Sequence, residues 1–187
     1  MASTLEKITV VIPVLNEELN LPKCLDALVG FPNVVVIDSG STDKTHEICS
    51  ERAIEVVPFD WDGKFPKKRN WFLENCQIYT DWVFFLDADE VVTLPFRIEL
   101  EKQLAAGDSD GFFIFYENFF MGSKLRFGIP QRKLSIFKKE YRFERVELQG
   151  TSDFDMEIHE HPVGLTKIGR LRARVQHDDF KGISHFV

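Results

Sequence analysis

Apolar and polar residues alternate in blocks along the first half of the chain, and these blocks predict strands and helices in turn. Leu21, Leu25 and Leu28 recur at helical spacing, with Pro22 in the opening turn and Gly30 as the stop. Strands that alternate with helices are typical of a parallel sheet covered on both faces. The apolar runs that predict its buried strands are Ile8 to Val14, Val34 to Ile37, Ile54 to Phe59 and Trp82 to Leu86.

Two polar segments predict further helices in this half. The cluster from Asp38 to Asp43 reads as a loop whose side chains cap a helix starting near Lys44. A basic segment that begins at Lys64 opens a helix running to about Cys76. Strands and helices therefore continue to alternate as far as the fourth strand.

The second half of the chain has a different pattern, which begins after a helix predicted between Pro95 and Gly107. We expect an antiparallel or mixed extension of the sheet with loops. No repeat or linker divides the chain, so residues 1–187 are predicted to form one domain. The aromatic, β-rich segments are Gly111 to Phe120, Lys133 to Lys138 and Arg142 to Val146.

Composition excludes some classes of partner. The chain has 23 basic and 30 acidic residues and a net charge of −7, which argues against nucleic acid as the main partner. Three cysteines without a C-x-x-C pair suggest a reducing cytoplasm. The first apolar run is cut by Pro13, so we expect no leader peptide, and no apolar stretch is long enough to cross a bilayer. Peripheral binding to a membrane stays open.

Carboxylates follow two of the predicted strands. Asp87 and Asp89 come directly after the most apolar strand, at the sheet edge where open α/β proteins bind ligands. Two adjacent carboxylates repel each other unless a cation joins them, so they suggest Mg²⁺ or Mn²⁺ carrying a diphosphate. The alternative is a helix cap with acids in its first turn. Asp38 ends the second strand at the same edge. Its carboxylate could accept a hydrogen bond from a base or a ribose, or from the backbone of its own turn.

Three segments resemble the signature segments of family 2 glycosyltransferases. Two further segments resemble a bacterial subgroup that builds lipopolysaccharide core and exopolysaccharide. The resemblance implies the GT-A fold, an α/β architecture with a Rossmann-like, mostly parallel central sheet, helices on both faces and a β-rich C-terminal half. The signature segments are Val10 to Glu18, Val35 to Thr45 and Phe84 to Glu90, and the subgroup segments are Trp61 to Trp71 and Met156 to Pro162.

The resemblance also implies roles for particular residues. The loop after the first strand would shape the nucleotide site, Asp38 would read the uracil or its ribose, and Asp89 would bind a metal that bridges the two phosphates. Asp87 would lie beside the ribose and the metal. The predicted nucleotide-binding residues are Pro13, Asn16, Glu17, Asp38, Ser39, Lys68, Arg69, Asp87, Ala88 and Asp89.

Basic residues could neutralise a departing diphosphate. Lys67, Lys68 and Arg69 lie at a predicted helix start, where free N–H groups favour anions. Arg69 is preferred because its fork matches phosphate oxygens in pairs, and Arg132 is a weaker candidate. The alternative for any one lysine is a solvated charged surface.

The segment from Glu157 to His161 is the densest chemical cluster. An inverting transferase needs a base to take the proton from the acceptor hydroxyl, and Glu157, His159 and Glu160 are candidates. Strand periodicity favours Glu157, whereas the family pattern favours Glu160, which we rank first. A polar surface loop is the alternative. His177 could be a third metal ligand with Asp87 and Asp89, an acceptor contact, or polar surface.

These features predict an inverting, metal-dependent glycosyltransferase. Residues 1–107 would bind a nucleotide sugar, expected to be a UDP-sugar, and residues 108–187 would carry the acceptor side and the base. The acceptor would be a hydroxyl of a lipopolysaccharide, exopolysaccharide or lipid-linked glycan, reached in the cytoplasm or at the inner membrane surface. The chain is shorter than the resembling subgroup, which suggests a truncated or short form. Alternatives are a phosphohydrolase with Asp87 as nucleophile and a non-catalytic binder of nucleotide sugars.

Overall fold

The computed structural model describes residues 4–62, 65–120, 122–127, 131–144 and 161–178. The helices within these ranges are α1 (Leu21–Asp26), α2 (Thr45–Glu51), α3 (Lys68–Asn75) and α4 (Leu94–Ala106), with a short 3₁₀ turn at Thr4–Lys7. The strands are β1 (Ile8–Val14), β2 (Asn33–Asp38), β3 (Glu55–Pro58), β4 (Trp82–Phe85), β5 (Glu90–Val91), β6 (Gly111–Phe120), β7 (Ser123–Lys124), β8 (Arg132–Lys138), β9 (Arg142–Phe143), β10 (Pro162–Val163) and β11 (Ile168–His177).

The first half of the chain forms the parallel part of the main sheet. Its strands lie in the order β3-β2-β1-β4, and all three pairs are parallel. In β1, Val10 lies opposite Val34 of β2 on one side and Phe84 of β4 on the other. The carboxyl ends of these strands therefore meet at one edge, as the alternation of strands and helices predicts.

The second half extends the same sheet with mixed pairing. Strand β8 runs antiparallel to both β4 and β6, β11 runs parallel to β6, and β5 pairs antiparallel with the end of β11. The expected mixed, β-rich second half is thus confirmed. Strands β9 and β10 form a separate small sheet.

Apolar side chains fill both faces of the main sheet, because successive residues of a strand point to opposite sides. Val10 and Phe84 pack with Phe96 and Leu100 of α4 on one face. Val11 packs on the other face, in a cluster that includes Phe72 of α3. Helices therefore cover both faces of the sheet, as expected.

The helix ends follow the local sequence signals. In α4, the Thr93 side chain accepts from the Phe96 amide at 3.3 Å, and Gly107 closes the helix at a φ of 74°. Helix α3 begins at Lys68, four residues after the first lysine of the basic segment. Phe65, which precedes Pro66, is disfavoured in helical conformation. Among the described residues, no helix has the length and apolar character needed to cross a bilayer.

Candidate active site

The carboxyl ends of the parallel strands form one wall of the candidate site. Asp38 is the last residue of β2, and Asp87 lies two residues beyond the end of β4. The second half supplies the opposite wall, because the end of β11 pairs with β5 and places His177 opposite Glu90. Residues far apart in sequence are thereby brought around the carboxylates.

Asp87 is held between two cations. Arg69 Nη2 donates to one carboxylate oxygen at 3.0 Å, and Lys133 Nζ donates to the other at 2.6 Å. Burial disfavours the charged carboxyl, but the charges of Lys133 and Arg69 outweigh it and hold the pKa of Asp87 well below its usual value. Asp87 is therefore a fixed anion.

Arg69 lies beneath this carboxylate. Its side chain is only 6% exposed, and its guanidinium carbon lies 5.9 Å from the ring centre of Phe85 and 5.5 Å from that of Phe143. Arg69 was expected to neutralise the diphosphate. The structure shows its contact with Asp87, and the role at the diphosphate stays a prediction.

Asp89 is paired with a histidine from the other wall. His177 Nε2 lies 3.2 Å from Asp89 Oδ2, and His177 Nδ1 lies 3.2 Å from Asn118 Oδ1 of β6. The hydrogen bond to Asp89 outweighs the effect of partial burial and raises the pKa of His177. The structure thus brings together two of the three predicted metal ligands.

A divalent cation at Asp89 and His177 would need further ligands from the nucleotide phosphates and from water. No group of three metal-ligating side chains is found within the described ranges. Both oxygens of Asp87 contact cationic nitrogens, and its role as a metal ligand stays a prediction. Mg²⁺ that carries nucleotide phosphates commonly takes one or two carboxylates, with phosphate oxygens and water as its other ligands. Asp89 supplies one such carboxylate, and His177 adds an imidazole nitrogen beside it.

Glu90 supports the loop that carries Asp87. Its buried carboxyl accepts from the Asp87 amide at 3.1 Å. Burial and the neighbouring negative charge of Asp87 raise the pKa of Glu90 to about 7. No local sequence pattern indicates this backbone contact.

Asp38 is buried and bonded mainly within its own turn. Its carboxylate accepts from the Gly40 amide at 3.1 Å and from the Ser41 amide, and it lies 2.7 Å from His46 Nε2. Burial opposes the charge, but the hydrogen bonds from Ser41 and His46 outweigh it and lower the pKa of Asp38. Its contacts are those of the turn residue that was one of its two interpretations, and nucleotide reading stays a prediction.

The polar loop after β2 binds the loop after β1. Ser41 Oγ accepts from the Asn16 amide at 2.8 Å, and Asn16 Oδ1 accepts from the Thr42 amide at 2.8 Å. The Glu17 amide donates to Thr45 Oγ1 at 2.9 Å. Asn16 has a φ of 56°, a left-handed conformation that asparagine tolerates better than most residues.

Two acids complete this connection and correct the expected helix cap. The Glu18 amide donates to Asp43 Oδ2 at 3.0 Å, and the Lys44 amide donates to Glu18 Oε2 at 3.1 Å. Helix α2 begins with Lys44 as its N-cap and has no side-chain capping bond there, although Asp43 accepts from the Thr45 amide. The polar cluster mainly joins the two loops rather than capping the helix.

Other residues predicted to bind the nucleotide or the diphosphate make different contacts. Lys68 is buried and its Nζ lies 3.5 Å from the Val14 carbonyl, and Pro13 lies within β1. Arg132 stacks on Phe113 at 5.0 Å, whereas its neighbour Lys133 reaches Asp87.

The three candidate bases, Glu157, His159 and Glu160, lie outside the described residues, as does Lys64. Ser39 and Ala88 lie in the loops directly after β2 and β4.

We predict that Arg69→Met lowers the free energy of unfolding by about 2–3 kcal/mol, because it removes the buried cation from an ion pair whose carboxylate is 37% exposed. Lys133 still faces Asp87, which keeps the loss below that of a fully orphaned charge. Urea unfolding of both proteins measures the difference. The matched control is Arg132→Met, which loses an exposed cation–π contact and should cost under about 1 kcal/mol. Equal losses for the two variants would contradict the role of Arg69.

Comparison with known proteins identifies the family. A family model described as Glycosyl transferase family 2 matches residues 9–156. A TPR repeat-containing protein of Synechococcus elongatus is 30% identical over 129 residues, which cover 67% of this chain and 30% of that protein. The lipopolysaccharide core biosynthesis glycosyltransferase LpsC of Rhizobium meliloti is 34% identical over 99 residues, which cover 50% of this chain and 36% of LpsC. The chain spans about a third of the length of these relatives.

The fold comparison agrees with the family model. A crystal structure of S. aureus TarS superposes with a TM-score of 0.66 at 19% identity, over 92% of this chain and 60% of the TarS chain. This similarity extends the fold assignment through the mixed second half of the sheet. With the family model matching most of the sequence and the sheet edge carrying its carboxylates, the chain belongs to glycosyltransferase family 2.

Proposed function

We propose that this chain transfers a sugar from a UDP-sugar to a hydroxyl group of a bacterial glycan or glycolipid, with inversion and with Mg²⁺ or Mn²⁺. The observation that carries the proposal is that two carboxylates at one sheet edge have different partners. Asp87 is clamped by Arg69 and Lys133, while Asp89 faces His177. The fixed carboxylate of Asp87 suits the ribose hydroxyls of a nucleoside. The pair of Asp89 and His177 suits a cation that carries a diphosphate.

The known proteins support this direction. TarS has been crystallised with UDP-GlcNAc and with UDP, and the name of LpsC assigns it to lipopolysaccharide core biosynthesis. Membership in family 2 favours glycosyl transfer over the phosphohydrolase alternative.

The residues would divide the chemistry as follows. The loops after β1 and β2 would hold the nucleoside, and Asp87 would orient the ribose. Asp89 and His177 would hold the cation, which supplies positive charge to the leaving diphosphate when bound. Glu160 or Glu157 would take the proton of the acceptor hydroxyl as that oxygen attacks the anomeric carbon. Attack opposite the leaving diphosphate inverts the anomeric configuration. The reaction would take place in the cytoplasm, on a nucleotide sugar made there.

Calorimetry tests the donor part of the proposal. UDP should bind in the presence of Mn²⁺, and the affinity should fall at least about tenfold after chelation of the metal. A thermal-shift screen across UDP-, GDP- and TDP-sugars then identifies the nucleotide and the sugar. A stronger stabilisation by a GDP- or TDP-sugar than by every UDP-sugar would contradict the assigned nucleotide.

Turnover tests the rest. Release of UDP from the preferred donor should require a glycan or glycolipid acceptor, and NMR of the product should show the inverted anomer. Release of phosphate from simple esters without any affinity for UDP would overturn the proposal. Tight binding of UDP with no transfer to any glycolipid extract would indicate the non-catalytic binder instead.

A further inference from the structure

An exposed hairpin extends from the wall of the site that carries His177. The hairpin is formed by the end of β6 and by β7, over residues 117–120 and 122–127, and it is called the β6–β7 hairpin below. Phe119 of β6 pairs with Lys124 of β7, and the Leu125 amide donates to the Asn118 carbonyl at 2.9 Å. Asn118 in turn contacts His177, so the root of the hairpin adjoins the site.

Large apolar side chains of this hairpin face solvent. Phe127 is 95% exposed, Leu125 is 52% exposed and Phe120 is 51% exposed. All of residues 122–127 are exposed. Single exposed apolar residues are ordinary on a protein surface, but three on one short hairpin form a patch of the kind that marks an interaction site.

The charge of the hairpin opposes that of the whole chain. The hairpin contains Lys124 and Arg126 against one acid, Glu117, which is ion-paired with Lys124, so it has an excess of one positive charge in a chain of net charge −7. The exposed apolar residues of α4 provide a contrast. Leu94 and Ile98 are exposed to a similar degree, but α4 carries two acids, Glu99 and Glu101, against its two bases. Only the hairpin combines exposed apolar groups with an excess of positive charge among these two surfaces.

We propose that the β6–β7 hairpin docks onto an anionic phospholipid bilayer. Phe127 and Leu125 would enter the boundary between headgroups and acyl chains, while Arg126 would lie among the lipid phosphates. Long basic side chains suit this position because their apolar stems can be buried while their charge stays in the headgroup layer. The net negative charge of the chain is screened by salt at a distance, so the charge that lies next to the bilayer decides the short-range attraction.

The position of the hairpin gives this docking a consequence for the substrate. Because the root of the hairpin contacts His177, docking would bring the sheet edge with Asp87 and Asp89 to the bilayer surface. This step rests on the proposed function: the acceptor class would then be a lipid-anchored glycan whose reactive hydroxyl lies near the headgroups, rather than a free sugar in solution. Membrane docking itself does not depend on glycosyl transfer.

Vesicle co-sedimentation tests the docking. We expect the chain to pellet with vesicles of phosphatidylcholine containing about 30% phosphatidylglycerol, and much less with phosphatidylcholine alone, because anionic lipid supplies the attraction. Leu125→Ser/Phe127→Ser should reduce the partition coefficient at least about tenfold. Arg126→Glu should reduce it about tenfold or more, since it removes one positive charge and adds a negative one.

The matched control is Leu94→Ser/Ile98→Ser, which removes similar exposed apolar groups from α4 and should leave partitioning unchanged. Binding of UDP to every variant is measured in parallel, so a failure of docking is distinguished from a failure of the proposed function. Unaltered pelleting of the hairpin variants, or no pelleting of the unmodified chain, would overturn the proposal. So would a dimer that the hairpin variant loses, which would assign the surface to a second copy. If the unmodified chain is retained on an immobilised lipid-free glycan and the same variant is not, the hairpin would be assigned to the acceptor.

Discussion

Asp89→Asn is expected to remove the metal-dependent part of the affinity for UDP, a loss at saturating Mn²⁺ of at least about tenfold, as large as that caused by chelation of the metal. Asparagine keeps the size of the side chain and one oxygen but removes the negative charge that a hard cation requires. Substitution of groups that merely orient a metal ligand costs about 10–100-fold in metal affinity or activity, so loss of a ligand charge should cost at least as much. Calorimetric titration of UDP with and without Mn²⁺ measures the effect.

The chain offers a matched control for this variant. Asp108 begins another D-x-D sequence, but it lies in the loop after α4, away from the carboxyl ends of the parallel strands. Asp108→Asn should leave the affinity for UDP and its metal dependence unchanged. His177→Gln should have an intermediate effect, because the structure places its ring beside Asp89. Metal-dependent binding that survives in Asp89→Asn would show that the cation is held elsewhere.

Glu160→Gln is expected to abolish transfer while leaving binding of the donor intact. A general base contributes about 10²–10⁴-fold to such a reaction, and glutamine cannot take the proton from the acceptor hydroxyl. Single-turnover assays with the preferred donor measure the rate, and calorimetry of UDP on the same samples shows that the donor site is preserved. Glu157→Gln is the comparison, and it should lose much less activity. An active Glu160→Gln and an inactive Glu157→Gln would reverse the assignment of the base.

Local sequence predicted the strands well. Strands β1 and β4 lie within one residue of their apolar runs, because a strand buried on both faces must be apolar throughout. The same reasoning placed the carboxylates at one edge, since parallel strands joined by helices end together. The mixed second half was predicted only in outline. Its pairing order, with β8 between β4 and β6, depends on contacts that no local pattern records.

The electrostatic partners in the site could not be predicted in the same way. Lys133 meets Asp87 across 46 residues of sequence, through the antiparallel pairing of β8 beside β4. Arg132 and Lys133 are adjacent basic residues, and the local sequence does not indicate which of them contacts Asp87. The register of β8 decides this. Arg69 was predicted at the diphosphate from its place at a helix start, and that local signal does not indicate its burial beside Asp87.

The paired loops after β1 and β2 have a consequence for how members of the family could exchange parts. Each loop satisfies backbone amides of the other, through Asn16 and Glu18 on one side and Ser41 and Asp43 on the other. Grafting one of these loops alone from a relative would leave donors and acceptors of the other unmatched. The two loops can therefore be transplanted only as a single unit, although Asn16 and Ser41 are 25 residues apart in the sequence.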